Sequence, residues 1–182
     1  MIECELKIPV DRLDDVRRGL ADIGADRLTA DLHEDNVLFD TADGRLASAG
    51  QVLRVRRVGG RQLLTFKGPA TFAGAVKQRL EIELEIPSSE PISELLHALG
   101  YAPCMRYQKQ RESWSVDDVR VELDHTPMGD FVELEGPTDA LEATAARLGL
   151  DPAEAVAQSY ISLWRLFRQN HPGLGRDMVF EP

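Results

Sequence analysis

A strict alternation of charged and apolar residues is the feature that most constrains the fold of this chain. Near the start, Glu3, Glu5 and Lys7 alternate with apolar neighbours. Because successive side chains of a β-strand point to opposite faces, this pattern predicts a strand with one apolar face and one charged face. Two carboxylates and an ammonium group are costly to hold so close together unless a cation and an anion bind among them.

The same alternation returns in later segments. Their charged residues are Arg54, Arg56, Lys67, Arg79, Glu81, Glu83, Glu85, Lys109, Arg111, Arg120, Glu122, Asp124, Glu133 and Glu135. One interpretation is an antiparallel sheet whose charged faces are exposed to water, which is the common case for a single strand. However, these faces contain few of the Thr, Ser and Gln residues that exposed strands usually include, and residues of one sign cluster on the same strands.

These features favour a closed barrel over an open sheet. About eight strands with one apolar face each can close into a barrel, with helices packed outside and charged side chains lining the lumen. Short turns between most neighbouring strands predict antiparallel pairing. The predicted fold class is therefore α+β, with an eight-stranded antiparallel β-barrel and external helices.

Periodicity and turn residues locate the individual elements. Strands are predicted over residues 2–8, 36–40, 51–58, 61–67, 77–86, 105–115, 119–125 and 131–135, with a hairpin turn at Gly59-Gly60. Helices are predicted over 11–23, 91–99, 138–148 and 151–168, with Asp11 and Asp151 as N-caps. The segment 68–76 is predicted to be a mobile loop, and the tail 170–182 to be irregular.

Composition excludes several classes of protein. The 182 residues suit one domain, and 43% apolar with 29% charged residues is typical of a globular protein. A net charge of −10 argues against nucleic acid or an anionic membrane as a partner. The chain has no apolar run near the roughly 20 residues of a membrane span, no secretory signal pattern, and two cysteines only. We therefore expect a cytoplasmic protein, and the sequence leaves a homodimer open.

A lumen lined by basic and acidic side chains has a definite chemical meaning. Arg and Lys bind phosphate oxygens, Arg in a bidentate manner and Lys as a compact charge. Clustered carboxylates bind Mg²⁺ or Mn²⁺, which in turn bridges phosphate oxygens. One phosphate group would need two or three basic residues, so five to seven of them indicate a chain of phosphates. The residues alone therefore predict a metal-dependent polyphosphate site.

The charged motifs resemble those of the CYTH family of triphosphate tunnel metalloenzymes. The family's hallmark Glu-x-Glu-x-Lys strand is matched by Glu3-Cys4-Glu5-Leu6-Lys7. The match continues in the family's order with Leu53-Arg54-Val55-Arg56, Thr65-Phe66-Lys67-Gly68-Pro69, Arg79-x-Glu81-x-Glu83, Lys109-x-Arg111, Glu122-x-Asp124 and Glu133-x-Glu135. The length and the Phe-Lys-Gly-Pro segment look most like the bacterial branch known as class IV adenylate cyclase.

This resemblance implies one CYTH domain over residues 1–182, with the motifs at 3–135, C-terminal helices at 138–168 and the tail at 170–182. It also implies a tunnel that binds Mg²⁺ or Mn²⁺ and a triphosphate-bearing small molecule. Glu3, Glu5 and Glu135 would hold the catalytic metal, Asp124 and Glu133 would complete that acidic wall, and Glu81 and Glu83 would hold a second metal or pair with basic residues. Lys7, Arg54, Arg56, Lys67, Arg79, Lys109 and Arg111 would bind the phosphates. Glu5, Lys7 and Lys67 are the expected catalytic residues, whereas Glu85 and Arg120 receive no role.

We expect an enzyme that cleaves a phosphoanhydride bond of a triphosphate. In a triphosphatase, water attacks the terminal phosphorus and orthophosphate leaves. In a class IV adenylate cyclase, the ribose 3′-hydroxyl attacks the α-phosphorus of ATP, which yields cyclic AMP and pyrophosphate. The orientation of the bound triphosphate decides between them, and the matched residues serve either reaction. The branch that the chain most resembles favours the cyclase, but we place the hydrolase slightly ahead and keep the cyclase close behind. A non-catalytic barrel that binds an anion is the alternative from another class.

Overall fold

Eight strands close into an antiparallel barrel, and a short ninth strand lies at its rim. The computed structural model describes residues 2–88 and 90–181. The strands are β1 Ile2–Val10, β2 Asp26–Asp40, β3 Val52–Val58, β4 Arg61–Lys67, β5 Thr71–Ala73, β6 Val76–Ile86, β7 Ala102–Val116, β8 Val119–Thr126 and β9 Gly129–Glu135. The helices are α1 Leu13–Asp22, α2 Arg45–Ser48, α3 Ile92–Ala98, α4 Thr138–Arg147 and α5 Tyr160–Gln169, with a 3₁₀ turn at Pro152–Glu154.

The strand order shows how the barrel closes. Neighbours follow the order β1, β9, β8, β7, β2, β3, β4, β6, and the pairing of β6 with β1 completes the circle. Every pair is antiparallel. β5 pairs only with the start of β6, next to the end of β4. The prediction of an eight-stranded antiparallel barrel with helices outside is confirmed.

The apolar faces of the strands pack outward against helices rather than inward. Leu6 of β1 and Leu134 of β9 belong to the largest core, together with Leu20 of α1 and Leu141 of α4. A third core packs α3 on strands β2 and β3.

The second core lies instead at one end of the lumen, where Tyr160 and Trp164 of α5 pack on Met105 of β7 and Phe131 of β9. Most of the outer apolar surface is covered by helices, apart from the exposed outer face of β6, and the charged faces line the lumen.

Strand β2 is the largest difference from the sequence-based prediction. It begins at Asp26 rather than at residue 36 and pairs with β7 over almost its whole length. Irregularities in the pairing interrupt it between Arg27 and Thr29 and between Thr29 and Leu32. Each irregularity shifts which side chains face the lumen, so the alternation that identifies a strand is lost.

The loop predicted over 68–76 is partly a strand. Thr71–Ala73 forms β5, and its three residues pair with Gln78, Lys77 and Val76 of β6. The turn between the two strands contains Gly74 at a φ of 60°, a conformation that favours glycine. A three-residue strand with exposed side chains is too short for alternation to be detected in the sequence.

Two predicted helix starts are wrong, and one turn is a short helix. The helix α1 begins at Leu13 after Arg12, and no side chain caps it, so Asp11 is not the N-cap. Asp151 caps only the 3₁₀ turn, through a 2.9 Å hydrogen bond from the Ala153 amide. The amide of Val156 instead donates to the Lys7 carbonyl, a tertiary contact that delays α5 to Tyr160. The Asp43-Gly44 turn leads into α2.

The described part of the tail, residues 170–181, is irregular, as predicted, but it is anchored. Met178 forms a single bridge with Tyr107 of β7 and is fully buried. In the described part of the chain, no helix is both long enough and apolar enough to cross a membrane.

Packing between the barrel and its helices should dominate stability. Leu134 is 0% exposed, whereas Leu84, also on the outer face of the barrel, is 58% exposed. We expect Leu134→Ala to lower the free energy of unfolding by about 2–5 kcal/mol through lost burial and a cavity. Leu84→Ala should change it by less than about 0.5 kcal/mol. Urea denaturation measures both, and equal losses would contradict the assignment of the core to the outer face.

Candidate active site in the barrel lumen

The lumen holds a cavity of about 810 Å³ that brings most of the predicted residues together. The cavity is lined by Glu3, Glu5, Lys7, Arg54, Arg56, Lys67, Arg79, Glu81, Glu83, Lys109, Arg111, Arg120, Glu122, Glu133 and Glu135. Asp124 is fully buried behind this lining, and Glu85 is exposed at the rim in an ion pair with Arg61. The alternation therefore identified the lumen face of each of these strands.

Strand register places opposite charges directly across from one another. Lys7 lies opposite Glu133, and the Lys7 Nζ is 2.9 Å from the Glu133 Oε1 and 3.0 Å from the Glu5 Oε1. Burial opposes the charge of Lys7, but the two carboxylates outweigh burial and raise the pKa of Lys7. Burial alone would raise the pKa of Glu133, but Lys7, Lys109 and Arg111 hold it well below its usual range. The groups therefore stay charged inside the barrel.

Asp124 binds two of the basic residues that are predicted to bind phosphate, on the side of these residues that faces away from the cavity. It accepts hydrogen bonds from the Lys109 Nζ at 2.9 Å and from Arg111 at 2.6 Å. The Tyr160 hydroxyl donates to the same carboxylate at 2.7 Å. Arg111 also bonds Glu133. With its oxygens used in this way and its side chain outside the cavity lining, Asp124 is placed to orient the basic groups.

Arg54 and Arg56 are fixed by neutral and acidic groups on neighbouring strands. Arg54 donates to the Tyr107 hydroxyl and to Thr65, each at 3.1 Å. Arg56 donates to Asn36 and to Glu34, also at 3.1 Å. Such bonds hold the guanidinium groups in one orientation, so less side-chain freedom is lost when an anion binds.

Four residues of this site were missed by the sequence analysis. Glu34 bonds Arg56 and lies 3.6 Å from Lys109, and although burial opposes it, Lys109 and Arg56 lower the pKa of Glu34 to about 2. Lys77 bonds Glu5 at 3.0 Å. Lys77 and Tyr107 continue the alternation by one step, from Arg79 and Lys109, so the sequence held a signal for both. Glu34 lies in the part of β2 before residue 36, where the predicted strand began, and Tyr160 reaches the lumen only because of how α5 packs.

The helix α5 contributes to one end of the cavity. Its first residues, from Tyr160, line the cavity together with Gln158 and Ser159. The Lys7 Nζ lies 4.2 Å above the centre of the Tyr160 ring, and the Lys109 Nζ lies 5.3 Å from it. Burial, and then the charge of Asp124, raise the pKa of the Tyr160 hydroxyl, so it remains a donor. Tyr160 therefore contacts both basic groups and their carboxylate.

The predicted metal ligands lie close in the sheet but are turned toward lysines. Glu5 lies directly opposite Glu135, and Glu3 is two residues along the same face. Glu3 contacts Lys67 at 3.0 Å, and Glu5 contacts Lys7 and Lys77 at the same distance. Among the described residues, no three His, Cys, Asp or Glu side chains are arranged to hold a metal ion.

The electrostatics at Glu135 nevertheless fit a cation. Two pairs of carboxylates face each other directly, Glu5 with Glu135 and Glu122 with Glu133, and like charges placed so are unfavourable. Burial, together with the charges of Glu133 and Glu3, raises the pKa of Glu135 to about 7 even though Arg111 opposes this. Glu135 makes no ion pair with any residue that the structure describes. The donor set is the all-oxygen type that Mg²⁺ and Mn²⁺ prefer.

Comparisons with known proteins agree with this geometry. The CYTH domain family model matches residues 1–160. Adenylate cyclase CyaB of Aeromonas hydrophila is 30% identical over 174 residues, which cover 88% of this chain and 87% of that protein. This chain belongs to the CYTH family.

Solved structures show the same fold for other members of this kind. A proposed adenylate cyclase of Vibrio parahaemolyticus has a TM-score of 0.80 at 22% identity, with 91% of this chain and 98% of that chain covered. A proposed adenylyl cyclase of Hippeastrum, described as having a dominant triphosphatase activity, has a TM-score of 0.66 at 20% identity, with 91% and 95% covered. At these identities the likeness concerns the fold of the CYTH barrel.

The raised pKa of Glu135 predicts a pH-dependent stability of this CYTH barrel without divalent metal. An unfolded glutamate ionises near pH 4.5 and the folded Glu135 near pH 7, so the folded state loses stability as the pH rises between these values. We expect Glu135→Gln to be more stable than the parent by about 1–2 kcal/mol at pH 8, and to lose this advantage at pH 5. Urea denaturation in a chelating buffer at both pH values measures it.

The control for this prediction is Glu142→Gln on the exposed surface of α4. The unfolding free energy of that variant should differ from that of the parent by the same small amount at both pH values. If the difference in unfolding free energy between Glu135→Gln and the parent is the same at pH 5 and at pH 8, the raised pKa of Glu135 is contradicted.

The Tyr160 hydroxyl and ring should contribute separately to the CYTH site. Tyr160→Phe keeps the ring beneath Lys7 and removes the bond to Asp124, so we expect a loss of about 1.5–3 kcal/mol in unfolding free energy. Tyr160→Leu also removes the ring and should cost more. Tyr101→Phe, at a partly buried position after α3 where no hydrogen bond of the hydroxyl is seen among the described residues, should cost less than about 0.5 kcal/mol. Equal effects for Tyr160→Phe and Tyr101→Phe would contradict this role.

Proposed function

We propose that this protein is a metal-dependent enzyme that cleaves a phosphoanhydride bond of a triphosphate by hydrolysis. The observation that carries the proposal is the closed lumen, in which all seven basic residues predicted to bind phosphate line one cavity beside a group of carboxylates. These residues are Lys7, Arg54, Arg56, Lys67, Arg79, Lys109 and Arg111. That number of cations exceeds what one phosphate group needs and suits a chain of phosphates. Membership of a family with relatives named adenylate cyclase supports an enzyme.

Mg²⁺ or Mn²⁺ is the cofactor we propose, held by Glu3, Glu5 and Glu135. When bound, the metal would neutralise charge on the phosphate oxygens and polarise a phosphorus–oxygen bond. The like-charge pair Glu5–Glu135 supports this assignment, since a cation between the two would remove their repulsion. Glu133 and Asp124 act through Lys7, Lys109 and Arg111, which they hold in place.

The basic residues would bind the substrate and stabilise the transition state. Lys7 stays protonated because of Glu5 and Glu133, so it can offer a full positive charge to the phosphoryl group in transfer. Lys67 bonds both Glu3 and Glu81 and can turn from them to a phosphate oxygen. Because the donors are already oriented by neighbouring strands, little reorganisation accompanies the reaction.

Cyclisation of ATP is the second candidate, and the likeness to adenylate cyclase CyaB of Aeromonas hydrophila favours it. The residues named above would serve either reaction, because both need a bound triphosphate and a metal. Hydrolysis needs water as its attacking group and nothing from the organic part of the substrate. The Hippeastrum protein, similar in fold, is described with a dominant triphosphatase activity, which supports placing hydrolysis first.

A product assay tests the proposal. The protein would be given inorganic triphosphate and ATP separately, with Mg²⁺, with Mn²⁺ or with a chelator. Metal-dependent release of orthophosphate and pyrophosphate from triphosphate, without cyclic AMP from ATP, would establish the hydrolase. Cyclic AMP with an equal amount of pyrophosphate would establish the cyclase instead. Binding of triphosphate without any product would favour the non-catalytic barrel.

Glu5 gives the sharpest prediction for this site. Glu5→Gln removes a carboxylate from the proposed metal site, so we expect kcat to fall at least about 100-fold while binding of triphosphate is largely retained. Glu85→Gln, the same change at an exposed rim position of the same sheet, should leave kcat within about twofold. Thermal unfolding of both variants checks the fold. A Glu5→Gln variant with normal kcat would exclude Glu5 from the chemistry.

A further inference from the structure

The outer face of β6 is apolar and yet exposed. Leu80, Ile82 and Leu84 are 40%, 48% and 58% exposed, and none of them belongs to the three apolar cores. Ile2 of β1 lies directly opposite Leu80 and is 61% exposed. Directly opposed residues of neighbouring strands share one face, so these four side chains form one surface on the outside of the barrel, which we call the β6 patch.

The apolar surface continues from the β6 patch onto β4. Phe66 lies directly opposite Ile82, Leu64 lies directly opposite Leu84, and both β4 residues are half-buried. Every second residue of β6 from 76 to 86 and of β4 from 62 to 66 faces outward, and none of these outward residues is charged. Charged residues make up 29% of the chain, and the exposed face of an antiparallel sheet is ordinarily polar. This face therefore has the composition of a surface that is covered.

The area of the β6 patch is large enough for a specific contact. From their exposed fractions, its four side chains present on the order of 400 Å² of apolar area, and the largest patch of a typical monomer is about 300–600 Å². Interfaces between identical chains are about 65% apolar, so a contact through this patch would bury roughly 600 Å² on each copy. The total of about 1,200 Å² is the lower end of the range for stable protein interfaces.

The spacing of the β6 patch suits a second copy of this chain. Most oligomers of identical chains have two-fold symmetry, which requires a surface that is complementary to itself. Leu80 and Leu84 are the same residue type at equal distances on either side of Ile82. A two-fold axis that runs between two such sheets at right angles to β6, level with Ile82, sets each Ile82 on its counterpart. It also sets each Leu80 on Leu84 of the second copy, with the sheets about 10 Å apart.

Electrostatics favour this patch over the rest of the surface as the contact between copies. Two copies repel each other because each carries a net charge of −10. The outward residues of the β6 patch add nothing to this repulsion, and they offer no ion-pair partner to a charged protein or lipid head group. Salt screens the repulsion over about 10 Å at 0.1 M, so salt should strengthen a contact between copies. A partner held by ion pairs would be weakened by salt instead.

We propose that this protein forms a two-fold symmetric homodimer through the β6 patch, with Ile82 at its centre. The inference does not depend on the proposed function, because the patch lies outside the barrel and none of its residues lines the cavity. An interface of this size predicts a dissociation constant of about 1–100 μM. Urea denaturation of Leu84→Ala therefore reports on the single chain when the protein is kept below that range.

Sedimentation equilibrium of the full chain tests the proposal. The parent, Ile82→Lys and Leu166→Lys would be compared from about 0.5 to 500 μM, in low and in high salt. We expect the mass of the parent to rise with concentration from 20.3 kDa to twice that value, at lower concentrations in high salt. Ile82→Lys places two ammonium groups against each other at the axis and should raise the dissociation constant at least about 100-fold. Leu166 of α5 is 50% exposed and lies outside the patch, so Leu166→Lys should dimerise like the parent.

Cross-linking locates the axis without placing a charge in the contact. In a chain that carries Cys4→Ser and Cys104→Ser, Ile82→Cys brings two thiols together at the axis, so oxidation should yield a disulfide-linked dimer on a denaturing gel. Leu166→Cys in the same background should remain a single chain. Circular dichroism of each variant checks that the fold is kept.

The outcomes separate the occupants of the β6 patch. A parent that stays monomeric up to about 500 μM would overturn the proposal, and so would a dimer that Ile82→Lys leaves intact. A dimer weakened by salt, or cross-linked equally well through Leu166→Cys, would place the contact elsewhere and overturn it too. We expect no binding to phosphatidylcholine vesicles. Co-sedimentation of the parent with them, lost in Ile82→Lys, would make the patch a lipid-binding surface instead.

Discussion

The structure depends on the pairing of opposite charges across neighbouring strands inside a closed barrel. Charged groups removed from water are costly unless ion pairs and hydrogen bonds compensate them. The strand register supplies this compensation directly, since Glu3 faces Arg79, Lys7 faces Glu133 and Arg111 faces Asp124. A shift by one residue would turn apolar groups into the lumen and charged groups toward the helices, so the pairing also specifies the register.

Under the proposed function, the same pairing would prepare the lumen to bind a metal cation and a polyphosphate anion together. In the free protein, Lys67 is bound to Glu3 and Glu81, and Lys77 to Glu5. A metal cation and a polyphosphate anion can replace these internal partners together, with each lysine turning to phosphate and each glutamate to metal. Such an exchange replaces each ion pair between side chains with an ion pair to the ligand. The free-energy cost of breaking the internal ion pairs is therefore kept low. The surplus of carboxylates near Glu135 is where a cation would gain most.

Much of the barrel could be predicted from the sequence because alternation reports directly on the two faces of a strand. It located β3, β4, β6, β8 and β9 and named the charged residues that line the cavity. It failed in the first half of β2, where the pairing is irregular up to Leu32 and the predicted strand began only after Glu34. It also failed for β5, because three residues are too few to show a period. Capping patterns misplaced two helix starts, since α1 begins after Arg12 without a side-chain cap and Asp151 caps a 3₁₀ turn instead of α5.

The sequence by itself determined which side chains share a face, because the two-residue period of a strand is a local property of the chain. The closure of the sheet, the ion pairs of Lys7 with Glu5 and Glu133, and the placing of Tyr160 and Asp124 behind the basic groups were decided only by the tertiary structure. These features join residues far apart in the chain, and their energies depend on burial and distance.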